Sequence, residues 1–170
     1  MGIVAQHSID IRLFRHALGH YASGITVIGG IVNGKPVGFT CQSFYSVSIE
    51  PPLISFSVNL GSKSWPSIRH TGSFSVNVLS HDQRPISEVF GSSVADRWSG
   101  IDWGITTGGN PVIRGSLLWL DCDIYKEYEV GDHWIVIGRL KEITTPDEAN
   151  TKGALLYFKG NYHSLPASSS

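Results

Sequence analysis

The feature that most constrains the fold of this chain is a series of short apolar segments separated by turn residues. The Asn33-Gly34 pair joins the first two, ITVIGGIV and KPVGFT, and this dipeptide is the strongest short-range signal for a β-hairpin. Further strand-like segments follow: LISFSV, SFSVNVL, LLWLDCDIY, HWIVIGRLKEI and ALLYF. With 19 glycines and few helical segments, the pattern favours a mostly β fold over a doubly wound sheet. We predict a small antiparallel barrel with short peripheral helices.

The helical segments are few and short. The first prediction covers residues 11–21, where these apolar side chains recur on one helical face: Ile11, Phe14, Leu18 and Tyr21. Gly24 is expected to end the turn that leaves this helix. Two shorter helices are predicted at WPSIRHTG and HDQRPISEVFG, and Ser80 or Asp82 is expected to cap the start of the latter.

The segment LLWLDCDIY has the alternation of a strand with one buried face. One set of alternate positions holds Leu118, Leu120, Cys122 and Ile124, and the other holds Trp119, Asp121, Asp123 and Tyr125. Asp121 and Asp123 could form an acid–base pair of carboxylates, but no carboxylate is predicted on a strand opposite them. We therefore predict that both lie on a solvent-facing polar edge.

Length and charge limit the class of protein. A chain of 170 residues, 41% of them hydrophobic, fits a single domain over residues 1–170 with loose ends at about 1–8 and 165–170. The balance of 13 Lys plus Arg against 14 Asp plus Glu argues against a nucleic-acid partner. No apolar run approaches the ~20 residues of a membrane helix. Two cysteines far apart, Cys41 and Cys122, and no recognisable signal peptide favour a reduced, cytoplasmic protein.

The chemistry of the chain is concentrated between residues 38 and 64. There GFTCQSFYSVSIEPP is followed, after a short strand, by the turn GSKS, in which Ser62 and Ser64 flank Lys63. Hydroxyls, turn N–H groups and a cation can hold a phosphate without a helix-based phosphate loop. Further hydroxyls at Thr40, Ser43, Ser46 and Ser48 could face the same cavity. The alternative is that GSKS is an ordinary polar turn and the hydroxyls are ordinary strand residues.

Many segments, in order, resemble the flavin reductase family that adopts the flavin-binding split barrel. They are FRHALGHYASGITVI, GFTCQSFYSVSIEPPLISFSV, SKSW, FSVNVLSHDQ, ADRWSGIDW, GNPVIRGSL, GDHWIVIGRL and LLYFKGNY. The resemblance is greatest to the small reductase components of two-component flavin-dependent monooxygenases. It implies a homodimer that uses NADH, with NADPH as the alternative, to reduce FMN or FAD. The reduced flavin would then serve a separate monooxygenase.

The resemblance also implies roles for individual residues. The isoalloxazine and ribityl part of the flavin would contact Gly38, Thr40, Cys41, Gln42 and Ser43, with Ser48 nearby. The phosphate would contact Ser62, Lys63 and Ser64. Asp96 and Arg97 would either lie in a loop near the flavin or form a local ion pair, and Trp98 stands where relatives often have Phe.

Two more segments are assigned to the nicotinamide by the same resemblance. In GDHW, His133 would lie beside the reactive edge of the flavin and help to place the nicotinamide; otherwise it merely follows a Gly-Asp turn. In YFKGNY, the candidates for contact with the nicotinamide nucleotide are Tyr157, Phe158, Lys159 and Gly160. Alignment of the two ring systems, with electrostatic support, is what the protein would contribute to hydride transfer.

Other readings of the chain are weaker. His16 and His20 have a metal-chelating spacing, but no third ligand is evident, so no metal site is predicted. A non-catalytic flavin-binding protein or electron carrier on the same barrel stays open, because fold does not fix function. An oxidase of a phosphorylated pyridoxine-type substrate would need a larger basic cluster than Lys63, Arg69 and Arg97 provide. The sequence leaves open FMN or FAD, and it favours NADH only through the lack of an Arg-rich site.

Overall fold

The computed structural model describes residues 9–167, which are mostly antiparallel β-strand. The helices are α1 (Ile11–Leu18), α2 (Trp65–Thr71) and α3 (Arg84–Gly91), with 3₁₀ turns at His81–Gln83 and Asp147–Thr151. The strands are β1 (Ser23–Gly24), β2 (Thr26–Val32), β3 (Lys35–Cys41), β4 (Tyr45–Ser48), β5 (Leu53–Asn59), β6 (Ser73–Val78), β7 (Trp103–Ile105), β8 (Pro111–Ile113), β9 (Leu118–Val130), β10 (His133–Thr144), β11 (Leu155–Phe158) and β12 (Asn161–Ser164). The mostly β, antiparallel prediction with short helices is confirmed.

One seven-stranded antiparallel sheet forms the body of the protein, in the order β3-β2-β6-β9-β10-β5-β4. The hairpin predicted from sequence opens this sheet, and Asn33 and Gly34 both have positive φ, at 51° and 74°, as a type I′ turn requires. A three-stranded sheet, β1-β11-β12, and the hairpin β7-β8 lie beside it. Long strands β9 and β10 pair with each other and reach both β6 and β5.

Strand β2 separates two hydrophobic cores, which is why its first residues are buried on both faces. On one side Ile28 packs with an aromatic cluster of Phe56, Trp65 and Phe74, whose rings meet edge to face. On the other side Val27 packs with residues from α3 and the loop after it. Helix α2 therefore contributes Trp65 to the first core, and this contact fixes the turn that precedes the helix.

The first helix is shorter than predicted, and residues 9–167 do not cover its apolar face. It ends at Leu18, not at residue 21, and Gly19 rather than Gly24 follows its last turn. Glycine is a poor helix former, and the Gly19 carbonyl accepts a hydrogen bond from the Lys159 amide at 2.8 Å. The apolar side chains of the helix are exposed, Ile11 by 64% and Phe14 by 51%.

Asp121 is buried, which contradicts the prediction of a solvent-facing edge. Its side chain is 1% exposed because the segment between β7 and β8 folds over this part of β9. Asn110 Nδ2 donates to Asp121 Oδ1 at 3.2 Å, and Lys141 Nζ lies 3.3 Å from the same oxygen. A Cβ at Gly108 would lie 2.5 Å from Asp121 Oδ2, so this cover needs a glycine. Asp123 is exposed, as predicted, and pairs with Lys141.

The structure also bears on three other predictions: the start of the second short helix, membrane spans and the chain ends. Ser80 begins the second short helix, and its backbone N–H donates to the Gln83 side chain at 3.1 Å. Within residues 9–167, no helix is long and apolar enough to span a membrane. Of the predicted loose ends, residues 1–8 and 168–170 lie outside the described residues, and the Leu165 amide donates to the Ala154 carbonyl.

Candidate functional site

Three cavities meet around Thr40, near the end of β3, and Thr40 lines all of them. The cation cavity, of about 500 Å³, is lined by Lys63 and Arg97. The histidine cavity, of about 410 Å³, is lined by His133. The tyrosine cavity, of about 470 Å³, is lined by Tyr157. Shared residues join them into one cleft. The volume of each cavity falls within the roughly 300–1,000 Å³ of small-molecule sites.

The cation cavity has its first wall in the turn between β5 and α2. Local hydrogen bonds shape this turn: the Ser62 amide donates to the Asn59 carbonyl at 2.9 Å, and the Trp65 amide donates to Ser62 Oγ at 3.2 Å. Trp65 is buried in the first core, so the turn is anchored to that core. Lys63 stands exposed between Ser62 and Ser64 at the cavity.

The second wall is the loop after α3, and Arg97 ties it to the first. Arg97 Nε and Nη2 donate to the Ser92 carbonyl at 3.0 and 2.5 Å. Arg97 Nη1 donates to the Gly38 carbonyl at 2.9 Å and to Ser64 Oγ at 3.0 Å. Arg97 does not pair with Asp96, whose carboxylate instead accepts from the amides of Trp98 and Ser99.

The charge of the cation cavity suits an anion. Among residues 9–167, neither Lys63 nor Arg97 has a carboxylate within ion-pair distance, and no carboxylate lines the cavity. Hydroxyls from Ser62 and Ser93 stand at the same cavity. Cations and hydroxyl donors around one concavity are what a phosphate group needs, so the residues present fit a phosphorylated ligand.

The histidine cavity lies where β3 passes into β4, beside β5. Ser43 Oγ donates to the Ser57 carbonyl at 3.0 Å and accepts from the Ser57 amide at 2.8 Å, which holds the connecting segment against β5. Cys41 lines the cavity from below, and its Sγ lies 3.3 Å from Ser43 Oγ. Burial raises the pKa of the Cys41 thiol, so this side chain is a neutral, weakly polar part of the wall.

His133 is the first residue of β10 and stands at the far side of the same cavity. Its backbone is fixed between Asn59 of β5 and Val130 of β9. Its ring Nδ1 lies 2.6 Å from Asp132 Oδ1, and its side chain is 43% exposed. The hydrogen bond and charge of His133 lower the pKa of Asp132. With Nδ1 donating to this carboxylate, Nε2 is the ring nitrogen available to a bound molecule.

The tyrosine cavity brings the C-terminal hairpin to Thr40. Tyr157 and Tyr162 pack edge to face with ring centroids 5.3 Å apart, and Tyr162 Oη lies 3.0 Å from Ser87 Oγ. Thr40 Oγ1 donates to the Ser87 carbonyl at 2.7 Å. Strand β3, helix α3 and strands β11 and β12 therefore meet at one place.

The structure gathers most of the sequence-predicted site residues around this cleft. The cavities are lined by Thr40, Cys41, Gln42, Ser43, Ser62, Lys63, Ser64, Arg97, His133 and Tyr157. Gly38 contributes its carbonyl to Arg97, and a Cβ there would lie 2.8 Å from the Ile28 carbonyl oxygen. In the part of the chain that the structure describes, these cavities are not lined by Ser48, Phe158, Lys159 or Gly160.

Sequence reasoning missed part of the lining. The second wall of the cation cavity includes Ser92, Ser93, Val94 and Ala95. The segment GSSVADR carries a signal for it, since two serines precede the arginine, but the sequence analysis assigns only its last two residues, Asp96 and Arg97. Trp98 is a core residue: its ring packs on Phe90 with centroids 4.9 Å apart.

The histidine pair on α1 has no further ligand. His16 and His20 pack edge to face with ring centroids 5.2 Å apart. Residues 9–167 hold no group of three or more metal-ligating side chains. His16 lies in α1 and His20 in the turn after it, and neither lines the cleft.

Comparison with known proteins gives consistent results. The profile of the family described as "Flavin reductase like domain" matches residues 18–166. The reductase subunit HsaB of a flavin-dependent monooxygenase from Rhodococcus jostii is 41% identical over 161 residues, which cover 95% of this chain and 81% of that protein.

Two solved structures show how far the likeness extends in three dimensions. A nitrilotriacetate monooxygenase component B from Mycobacterium thermoresistibile has a TM-score of 0.88 and 38% identity, covering 91% of this chain and 86% of that one. An NADH:FAD oxidoreductase from Streptomyces globisporus, solved in complex with NAD and FAD fragments, has a TM-score of 0.83 and 28% identity, covering 96% and 99%.

Proposed function

The chain belongs to the flavin reductase family, and we propose that the cleft around Thr40 is where it transfers a hydride from a reduced nicotinamide to flavin. The observation that carries this proposal is the junction of the three cavities. The cation cavity, which has no carboxylate among residues 9–167, the cavity with His133 at a strand end and the tyrosine-lined cavity all include Thr40 of β3. Each cavity supplies what one part of the reaction needs.

The cation cavity would hold the flavin phosphate through Lys63 and Ser62. Lys63 brings a charge that no carboxylate neutralises among residues 9–167, and charge-assisted hydrogen bonds to phosphate are about twice as strong as neutral ones. The isoalloxazine would extend from there past Thr40 into the histidine cavity. Cys41 and Ser43 form the wall against which it would lie.

His133 would act at the reacting end. Asp132 accepts from its Nδ1, so Nε2 can donate to the nicotinamide carboxamide or to negative charge that develops on the flavin. Flavin and nicotinamide themselves supply the redox chemistry when both are bound. The chain's contribution is then to align the two rings and to place a hydrogen-bond donor beside them.

The tyrosine cavity would receive the nicotinamide nucleotide. Tyr157 and Tyr162 offer aromatic surface, and Gln42 offers an amide, next to Thr40. Glu88 is the charged residue among those lining this cavity in the described chain, and Arg84 pairs with it at 2.8 Å, so the lining offers no unpaired cation to the additional 2′-phosphate of NADPH. We therefore propose NADH as the preferred reductant. FMN and FAD share every contact proposed here, so both are candidates.

The reduced flavin would serve a separate monooxygenase. The Rhodococcus relative is a reductase subunit of such an enzyme, and the cleft reaches solvent at His133, which is 43% exposed. A flavin in an open cleft can exchange with the surroundings. We propose that this chain, as a single domain, likewise hands reduced flavin to a partner monooxygenase in the cytoplasm. Its free cysteines, Cys41 and Cys122, suit a reducing compartment.

We further propose that the protein is a homodimer. The apolar face of α1 has no cover among residues 9–167, and Tyr45, Val47 and Ile49 are exposed on and beside β4. Contiguous exposed apolar surface of this kind marks protein interfaces. A second copy of the chain would bury it. Sedimentation equilibrium tests this, and a monomer at micromolar concentration would contradict it.

Anaerobic stopped-flow absorbance tests the proposed reaction directly. Protein is mixed with one equivalent of FMN or FAD, then with NADH or NADPH, and the oxidised flavin band is followed. We expect bleaching well above the protein-free rate, faster with NADH. Flavin binding without bleaching by either nicotinamide would instead favour the alternative of a non-catalytic flavin carrier.

A further inference from the structure

Arg97 connects both walls of the cation cavity through its side chain. It bonds to Ser92 in the loop wall, to Ser64 at the start of α2, and to Gly38 on β3. Gly38 and Arg97 are 59 positions apart in sequence, so this contact joins distant parts of the chain. Within the described residues, no other side chain that lines the cavity bonds to both walls.

These bonds use four of the five N–H donors of Arg97 and leave one, on Nη2, for a ligand. Nε, Nη1 and Nη2 each already donate to a protein oxygen. Ser64 is nearly buried, 8% exposed, and its hydroxyl accepts from Arg97. Lys63, by contrast, is exposed at the cavity and donates to no protein oxygen within residues 9–167. The two cations of the cavity therefore differ in what they can still bind.

We propose that Arg97 is a positioning residue that clasps the loop 92–96 to the turn 62–64, and that Lys63, held in place by this clasp, selects phosphorylated flavin over riboflavin. The second part rests on the proposed function, whereas the clasp does not. A lysine could not replace Arg97, because its single ammonium cannot reach three separate acceptors in the way that a planar guanidinium does. Charge at position 97 is thus less important than the shape of the group that carries it.

Hydrogen–deuterium exchange of the flavin-free protein tests the clasp. In Arg97→Lys we expect the amides of residues 92–96 to exchange roughly tenfold faster or more, because local opening is no longer opposed by the crossing bonds. Arg114→Lys is the matched control, since Arg114 is an exposed arginine with a single ion pair, to Asp102. Lys63→Met should leave the exchange of residues 92–96 unchanged.

Binding of FMN and riboflavin, measured by quenching of flavin fluorescence, tests the selection of phosphate. We expect Lys63→Met to lose about tenfold of the preference for FMN over riboflavin. Arg97→Lys should lose several-fold of the same preference despite keeping its positive charge. Ser64→Ala removes one acceptor of the clasp and should change exchange and preference in the same direction by less, which covers the case that Arg97→Lys does not fold.

Each combination of exchange and binding results either supports or overturns the proposal. Faster exchange in Arg97→Lys together with a reduced FMN preference supports the proposal. Unchanged exchange overturns it, whatever happens to binding, and faster exchange with the FMN preference intact overturns it as well, since Arg97 would then be merely structural. If the wild-type protein bound neither flavin, the proposed function and the selection of phosphate would both fail, while the exchange result would still decide the clasp.

Discussion

The two ends of the cleft are built differently. At the cation end, Arg97 and the buried Trp65 fix both the loop and the turn that form the walls. At the histidine end, the His133 ring is 43% exposed and has its one described polar contact with Asp132, itself 85% exposed. The cation end, our proposed phosphate site, is thus preorganised, whereas the histidine end, our proposed reaction site, is open to a second substrate. A rigid anchor beside an open reaction site suits a protein that binds one ring system and admits another.

The difference lies in the side chains and not in the backbone. His133 is paired on both sides in the sheet, with Asn59 and Val130, and the Asp132 carbonyl accepts from the Leu60 amide at 3.0 Å. The position of the His133 Cα is therefore as well fixed as that of the anchor. Substitutions at the histidine end should therefore change the rate of hydride transfer, whereas substitutions at the cation end should change the affinity for flavin.

The largest effect is expected from His133→Ala. Loss of a donor aimed at developing charge costs roughly 10²-fold in rate, so hydride transfer at saturating nicotinamide should slow by about that factor. FMN affinity should change little, because the phosphate contacts lie at the other end. Stopped-flow bleaching and fluorescence titration measure the two quantities. A variant that reduced flavin at the wild-type rate would remove His133 from the reaction.

The converse variant is Lys63→Met, at the anchor. A hydrogen bond to a charged group contributes about 1.5–3 kcal/mol, so FMN should bind roughly ten- to a hundredfold more weakly, and less salt-dependently. The rate of hydride transfer at saturating FMN should be close to wild type. Lys35→Met, at the exposed start of β3, is the matched control and should bind FMN normally. A large loss of rate with normal affinity would contradict the division between the two ends.

The preorganisation of the anchor is tested by Gly38→Ala. The new methyl would lie 2.8 Å from the Ile28 carbonyl oxygen and 3.0 Å from Phe90 Cε1, and overpacking of this kind costs about 1–3 kcal/mol. The Gly38 carbonyl would shift and loosen its bond to Arg97. Gly24→Ala is the control, since nothing lies within 4 Å of a Cβ there. Chemical denaturation compares them, and equal stability of the two variants would show that the β3 backbone can adjust.

Those parts of the fold that depend on neighbouring residues could be predicted from the sequence. The Asn33-Gly34 turn, the strands on either side of it and the turn around Lys63 all form from local preferences, and the structure has them where the sequence indicated. The resemblance to flavin reductases added the order of the segments. Together they predict most of the residues that line the cleft.

The errors came from contacts between distant segments. Alternation along β9 predicted an exposed Asp121, but the loop 106–110 covers it, and alternation cannot show what packs on a face. The helical pattern over residues 11–21 predicted an amphipathic helix, but it could not show that residues 9–167 leave its apolar face uncovered. Likewise Arg97 ties the loop wall of the cation cavity to Gly38, a contact that no local pattern reports.

The smallest effect is expected from Asp132→Asn, which tests how much the open end depends on its one side-chain contact. His133 lowers the pKa of Asp132 from its ordinary value of 3.8. Folding therefore favours the ionised carboxylate of Asp132. This stabilisation is present above pH 3.8, and it is lost as the pH falls through the lowered pKa. Asparagine cannot ionise, so thermal melts of the variant should lack this acid-range change, whereas Asp102→Asn should keep it.

Asp132→Asn should also slow hydride transfer, but only by a few-fold. The asparagine carbonyl can still accept from His133 Nδ1, so the orientation of the ring survives while the negative charge beside it is lost. If the rate stayed at the wild-type value, Asp132 would have no role in the reaction, and His133 would be held by its backbone alone.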